Sequence, residues 1–571
     1  MYADALKIVS SQYKHLPGRD AADINPRVIT GGSMLKNEPF SFQVLYRAEP
    51  DVFCQPVSLS AVCEGLPMEA WRVDYLPVMH TANVSGEPGY ESSLPGLFPD
   101  LLLPRPAAPE IEQLNVQYNA SRFEKDVDSL LNATGGDYQA VWFTVNPDSR
   151  TLTPGSYVIR VTLTSLTDGS VMAEQNLALE VIDDALPDND AYYTNWFYED
   201  CICNLFGVEL YSDAFYGIFD DYIANMTRHR QNTLLLPAFT PPLDTPVGSE
   251  RMNVQLVEIT RGADGWHFGF EKMRRFIRHA DRNGIRTFEH CHLFSQWGAK
   301  HAPNIYNTDG MRIFGFDTDA AGEEYTAFIR AYLTAFLTFA KEEGIENRLL
   351  FHISDEPTTE HMESYRQAVN TVADLLSGYP TADAMSHVEF YKEGLVGQPI
   401  ANTRSAEKFY GECPAFWLYY TGGSYEKRSA NRLISNTAAR TRVLGVQLYR
   451  YQAKGFLHWG YNFYYDRLSA GCFDPKSSPN AYKMYPGDTY LAYPVMVGSC
   501  HVTPSIREKL MAEAFDDLRA LKLLETRIGR DAVLALCEEM LGEPVNSALI
   551  PEGDALLTLR EAVNRRIQET N

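Results

Sequence analysis

The sequence has little of what would mark a secreted, membrane-bound or nucleic-acid-binding chain. Its nine cysteines, an odd number, stand at 54, 63, 201, 203, 291, 413, 472, 500 and 537 without regular spacing. That excludes a disulfide framework and points to free thiols in a reducing compartment. Cys201-Ile202-Cys203 is too tight for a zinc ribbon and reads as small buried residues. Positive charge is short: 50 Lys and Arg against 74 Asp and Glu leave a formal net charge of −24. That is the wrong sign for nucleic acid or an anionic membrane, and it suits a neutral or cationic substrate. No apolar run reaches the ~18 residues that cross a bilayer. The opening Met-Tyr-Ala-Asp-Ala-Leu-Lys carries no signal-peptide core. These absences predict a cytoplasmic protein with neither membrane nor nucleic acid as partner.

What is present is length and aromatic content. A chain of 571 residues has room for roughly two to four domains, each with its own core. Aromatic residues make up 12%, with 33 Tyr, and such rings offer the flat apolar platforms with polar tips that a carbohydrate cleft needs. Residues 1–187 alternate with period two, as in Phe40, Phe42, Val44 and Tyr46, then Tyr157, Ile159, Val161 and Leu163, then Leu177, Leu179 and Val181. Turn clusters such as Thr153-Pro154-Gly155 separate them, which predicts an N-terminal β-sandwich. Residues 79–136, rich in Pro and Gly, read as a long excursion able to lean over a neighbouring domain.

From 188 to 500 strands alternate with amphipathic helices. Candidate strands are 192–197, 233–239, 286–293, 348–354, 381–386, 397–401, 416–420 and 455–461. One helix carries Tyr325, Phe328, Ile329, Tyr332, Leu333, Phe336 and Leu337 on a single stripe and ends at Gly344. Eight such repeats predict a central (β/α)8 TIM barrel with its chemistry at the C-terminal ends of the strands. Residues 501–571 read as a C-terminal helical segment packed on the barrel, its first helix beginning at Thr503-Pro504. The expected class is therefore multidomain α/β.

Residues 348–357, Arg-Leu-Leu-Phe-His-Ile-Ser-Asp-Glu-Pro, are an apolar run that ends in two adjacent carboxylates. Acids at the end of a buried strand are costly unless a ligand uses them. In a regular strand His352, Ser354 and Glu356 share one face and Asp355 the other. Both acids reach one ligand only if the strand breaks near Asp355, which Pro357 encourages. Retaining glycosidases ordinarily need two carboxyl groups ~5–5.5 Å apart. The seventh strand, Phe416-Trp417-Leu418-Tyr419-Tyr420-Thr421, offers none before Glu426. Either the nucleophile lies elsewhere, with Glu199, Asp200 and Glu289 as candidates, or the substrate supplies it. In the second case Glu356 protonates the leaving oxygen while Asp355 orients a 2-acetamido group whose carbonyl attacks the anomeric carbon.

Several stretches carry a resemblance to a known family. They are Asn195-Trp196-Phe197, Pro242-Leu243-Asp244-Thr245 and Ser295-Gln296-Trp297-Gly298-Ala299-Lys300-His301-Ala302-Pro303. They continue with His352-Ile353-Ser354-Asp355-Glu356-Pro357, Gly455-Phe456-Leu457-His458-Trp459-Gly460-Tyr461-Asn462, Pro486-Gly487-Asp488 and Phe515-Asp516-Asp517-Leu518. The chain resembles the catalytic domain of glycoside hydrolase family 123 and the overlapping domain of unknown function 4091, over nearly its whole length. The resemblance implies an exo-acting β-N-acetylgalactosaminidase that retains configuration through an oxazoline intermediate, with Glu356 as acid/base and Asp355 orienting the acetamide. Its expected partner is a carbohydrate bearing a 2-acetamido sugar.

Further candidates for substrate binding surround the acids. Trp196, Trp297 and Trp459, at or after strands one, three and eight, can stack on sugar, and Trp417 on strand seven is a core or platform residue. Tyr419 can bond the acetamido oxygen and Asn462 the sugar hydroxyls. Asp244 and Arg251 either contact substrate or pair with each other across their loop. His290 and His292, two apart on one strand, expect a shared face and hence a possible metal pair. They fall on the third strand, and the eighth lacks the aspartate of metal-dependent amidohydrolases. His292 and His352 are therefore expected as pocket hydrogen-bond donors or satisfied core groups, with no metal and no cofactor. A non-catalytic glycan-binding barrel is the reading from another class, which the adjacent acids disfavour.

Overall fold

The computed structural model describes residues 4–18, 26–82, 88–105, 131–241, 243–245, 249–422, 429–479, 484–497 and 500–571. The N-terminal region forms two five-stranded sheets. The first runs in the order Leu6–Ser10, Phe40–Tyr46, Gln139–Val145, Met68–Val78 and Gly96–Arg105, antiparallel throughout. The second runs Gly31–Leu35, Val171–Ile182, Gly155–Ser165, Gln55–Val62 and Leu131–Ala133, with one parallel pair at Gly31–Leu35. Alternation places Phe42, Val44, Ile159, Val161, Leu177 and Leu179 in the core between the sheets, as the period-two pattern predicts.

The other face of the first sheet is also covered, since Val9, Leu45, Leu102 and Trp142 pack against Ala438, Ile506 and Leu510. Burial on both faces is why Gln139–Val145 is nearly continuously apolar rather than alternating. Within the expected excursion at 79–136, Gly96–Arg105 is a strand rather than a loop. It sits at a sheet edge, where Pro99 and Pro104 need not donate to a second neighbour. Residues 79–82 and 88–93 do lean on the central region: Tyr90 bridges Asn436, the Glu91 N–H donates to the Ser435 carbonyl, and the Ser435 hydroxyl donates to the Thr81 carbonyl. The rest of that stretch, 83–87 and 106–130, lies outside the described residues.

Eight short parallel strands occupy the eight expected places. Ala384–Met385, Ile400–Asn402, Trp417–Tyr419, Gly455–His458 and Tyr192–Asn195 form one sheet of five, and Thr233–Leu236, Thr287–His290 and Leu349–Phe351 one of three. Ladder pairing stops between the two sheets. At one seam Phe351 bridges Thr381; at the other the Asn232 N–H donates to the Tyr193 carbonyl at 3.1 Å. Each strand is shorter than its apolar run because the chain leaves the ladder to enter loops. Helix Glu323–Glu342 buries Tyr325, Phe328, Ile329, Tyr332, Leu333 and Phe336, as its stripe requires.

Toward the C-terminus Ala492–Val497 and Cys500–Pro504 pair as a hairpin. The following helix spans Ile506–Ile528 rather than starting at Thr503, because Ser505 is its cap and accepts the Glu508 N–H. Helices Arg530–Leu541 and Ala555–Glu569 follow. Arg507 ties three regions together. It forms a fully buried ion pair with Asp100 of the first sheet at 2.9 Å and donates to the carbonyls of Arg432, Gly487 and Tyr490. No helix among the described residues is long and apolar enough to cross a membrane.

Candidate active site

Strand Leu349–Phe351 ends just before the polar residues, and backbone hydrogen bonds then steer the chain. The N–H groups of Ile353 and Ser354 donate to the Asp383 carboxylate, and the Ser354 hydroxyl donates to the Ser295 carbonyl. Glu356 takes the left-handed region at φ +43°, while its N–H donates to the Ala384 carbonyl at 3.1 Å. A non-glycine residue held there is strained by ~1–3 kcal/mol and persists only where its surroundings fix it. The turn meets the requirement set by the sequence: Asp355 and Glu356 line the same pocket, of about 180 Å³.

Trp196, Leu243, Asp244, Gln296, Trp297, Ala384, Tyr419, Thr421, Leu457, Trp459 and Met484 complete the wall. Asp355 is 8% exposed, whereas Glu356 stands open to the pocket. Gln296 donates to Asp355 Oδ2 at 3.1 Å and the Tyr419 hydroxyl donates to Glu356 Oε1 at 2.8 Å. Burial and then the neighbouring charge of Glu356 push the Asp355 carboxyl up to about 8. Burial and the same Glu356 charge hold the Tyr419 hydroxyl well above its ordinary value, so it stays a donor.

The aromatic candidates divide by exposure. Trp196 is buried, its backbone bonded to His458 and Tyr461 and its indole N–H donating to Glu289. Trp417 is fully buried, stacked on Tyr192 at 4.6 Å, and does not line the pocket. Trp459 is half-buried on the wall, and Trp297 is 57% exposed at the mouth. Trp297 sits at φ +53° before Gly298 at φ +121°, where a Cβ would come within 2.9 Å of the His361 ring, so glycine is needed to hold that turn.

Four expected binding residues are not on the pocket wall. Arg251 does not pair with Asp244; it grips Asp200 through Nε and Nη2 at 2.7–3.0 Å, donates from Nη1 to the Leu243 carbonyl, and lies among the rings of Tyr198, Phe463 and Tyr465. Asp244 stays on the wall, its carboxylate accepting the Leu468 N–H at 2.7 Å. Both ends of the Asn462 amide bond the backbone of Tyr198, and the residue is fully buried off the wall, out of reach of a sugar hydroxyl. His292 and His352 are buried behind the wall. His290 and His292 share no face, because the strand ends at His290. The His290 ring turns to the Tyr332 hydroxyl and the Cys291 carbonyl, whereas His292 turns in toward His352.

One nitrogen or oxygen each from His292, His352 and Asp383 lies within 4.8 Å of the others. Both His352 nitrogens already face carboxylates and Asp383 takes four donors, whereas neither ring nitrogen of His292 has a hydrogen-bond partner among the described residues. Gln296, which bonds Asp355, has no expected role from the sequence; its signal is its place in the 295–303 stretch that carries the family resemblance. Glu199, Asp200 and Glu289 all lie buried off the wall, and Glu426 lies outside the described residues.

An acid pair in an aromatic-walled pocket suits glycoside cleavage, and comparison with known proteins agrees. The family described as "Glycoside hydrolase 123, catalytic domain" matches residues 196–524, more than half of the chain. The chain belongs to glycoside hydrolase family 123. As a family member it is a hydrolase acting on carbohydrate. Among solved structures it is similar to a family 123 glycoside hydrolase from Clostridium perfringens, studied for glycolipid glycan hydrolysis. That match has a TM-score of 0.72 at 12% identity and covers 99% of this chain and 97% of the other, which establishes a shared fold. A Bacteroides uniformis β-glucuronidase, at 9% identity, covers 86% of this chain and 49% of its own, and its TM-score of 0.28 carries no argument. No curated protein matches the sequence.

Proposed function

We propose that this family 123 enzyme is a retaining exo-β-N-acetylhexosaminidase, preferring N-acetylgalactosamine, whose nucleophile is the 2-acetamido carbonyl of its own substrate. The observation that carries the reading is the pair Asp355–Glu356 turned into one pocket while the seventh strand contributes Tyr419 in place of a carboxylate. Glu356 protonates the leaving oxygen. Asp355 accepts the acetamido N–H, so that the carbonyl oxygen attacks the anomeric carbon and a cyclic oxazoline forms. Water deprotonated by Glu356 then opens it with net retention. In the free enzyme one proton rests on the acid pair at neutral pH. A bound N–H favours ionised Asp355 and leaves the proton on Glu356, where departure of the leaving group needs it. Trp196 and Trp459 serve as sugar platforms, with Trp297 at the mouth.

The two parallel sheets, meeting at both seams, are read here as one (β/α)8 barrel over 188–500, between a sandwich at 1–187 and a helical segment at 501–571. A pocket rather than a cleft suits exo action, and the glycolipid glycans of the Clostridium relative are a substrate class to try. A second reading rests on Asp244, the other carboxylate on the wall among the described residues, acting as an ordinary nucleophile.

The experiment compares nitrophenyl β-glycosides of GalNAc, GlcNAc and galactose. Cleavage confined to the acetamido sugars is expected, fastest for GalNAc. Fast cleavage of the galactoside, abolished by Asp244→Asn, would replace substrate assistance with the second reading. No cleavage with retained glycan binding would favour a binding protein.

A further inference from the structure

Behind Trp196 lies a second set of charges, which the catalytic scheme does not use. Glu289, His352 and Asp383 are shielded from solvent. His352 Nε2 lies 2.9 Å from Glu289 Oε2, and its Nδ1 lies 3.3 Å from Asp383 Oδ1. An ionised carboxylate only accepts hydrogen bonds, so an imidazole between two of them satisfies both by donating from both nitrogens. Neutral imidazole has one N–H; imidazolium has two. Both carboxylates have further donors that favour their ionised forms: the Trp196 indole N–H on Glu289, and Ile353 N–H, Ser354 N–H and the Tyr365 hydroxyl on Asp383. Burial opposes charge on His352, but its bonds to Asp383 and Glu289 outweigh it and hold the ring up at about 10.

The position matters because His352 lies three residues before Asp355, and Asp383 grips the intervening N–H groups. We propose that His352 is a positioning residue, a buried imidazolium that pins the strand end from which the acids leave and whose charge favours ionised Asp355. This rests on the reading of Asp355 as acceptor of an acetamido N–H. The charge acts, with the Gln296 hydrogen bond, against the three influences that keep Asp355 protonated: its burial, Glu356 and the charge of Asp383, which the imidazolium sits beside and offsets. Other groups facing His352 do not supply that charge. The His292 ring, 4.8 Å away between centroids, is held neutral by burial, Trp196 is edge-on at 5.8 Å, and His290 turns outward to Tyr332.

Two measurements test the proposal. Full-length protein labelled with 15N-histidine, with His352→Gln to assign the resonance, should show both His352 nitrogens protonated at pH 8. A neutral tautomer there, with the proton on Asp383, would overturn the proposal whatever the enzyme cleaves. The pH profile of kcat/KM is then followed on the glycoside the wild type hydrolyses best. His352→Gln removes a positive charge and should move both limbs up by about one pH unit. Glu289→Gln removes a negative charge, leaves the imidazolium on Asp383, and should move them down. A lower kcat with unmoved limbs in both would leave His352 a packing residue and defeat the proposal. Should His352→Gln fail to fold, Glu289→Gln and the wild-type spectrum decide. A wild type inert on every glycoside would instead sink the functional reading, with the spectrum still judging the imidazolium.

Discussion

Two groups of acids stand at the ends of neighbouring parallel strands, and only one of them faces the pocket. Asp383 takes four donors, and Glu289 meets Trp196 and His352 through one carboxylate oxygen, so both acids are turned to the interior of the protein. Asp355 has Gln296 and Glu356 has Tyr419, which leaves acceptor capacity for a ligand. The residue types are alike; the backbone differs. A left-handed turn at Glu356 swings one set outward, whereas Glu289 stays in register within its ladder. A carboxylate at a strand end is thus a candidate for chemistry to the extent that its backbone turns it toward a pocket.

Substitutions can break this contrast. The largest effect is expected at Glu356→Gln, which should lower kcat/KM by ~10²–10⁴-fold on any substrate with a poor leaving group. Asp355→Asn should follow at ~10²-fold, measured by steady-state kinetics with intact folding by circular dichroism. Comparable losses at Glu289→Gln would erase the distinction between the two groups. Arg251→Ala should act on stability instead, by ~3–5 kcal/mol in denaturant unfolding, since it leaves Asp200 buried without its partner. A rise in KM with unchanged stability would return Arg251 to the pocket. Tyr419→Phe should cost ~10-fold in kcat/KM through the lost bond to Glu356.

A further effect concerns pH. Asp355 is harder to ionise in the folded chain than in the unfolded one, with a folded value of about 8 against an ordinary 3.8. Its contribution to stability is therefore full below about pH 4 and lost as pH rises through about 8. Asp355→Asn should melt higher than wild type at pH 9, with the difference vanishing near pH 4, as followed by thermal denaturation. Activity should fall over the same alkaline range, as the last proton leaves the pair.

The acid pair was legible because its chemistry is local: an apolar run, two carboxylates and a proline within ten residues. Partners distant in the chain were not. Asp244 and Arg251 are neighbours in sequence, yet Arg251 chooses Asp200, 51 residues away, and Asn462 spends its amide on Tyr198, 264 residues away. The His290–His292 spacing assumed a strand that in fact ends at His290, two residues too early for it. Gly96–Arg105 was hidden by prolines that only an edge position tolerates. Period-two and helical stripes, by contrast, depend on neighbours along the chain, and they located the strands of the two N-terminal sheets and the Glu323–Glu342 helix well.

The buried bond between Asp100 and Arg507 has a consequence for how such proteins can be recombined. The guanidinium also holds the carbonyls of Gly487 and Tyr490, a few residues from Met484 on the pocket wall. N-terminal sheets borrowed from another relative must bring their own acid to the place of Asp100, or the wall of the pocket shifts with them. The N-terminal sheets are thus not an interchangeable accessory to the hydrolase but part of the frame that gives its pocket a shape.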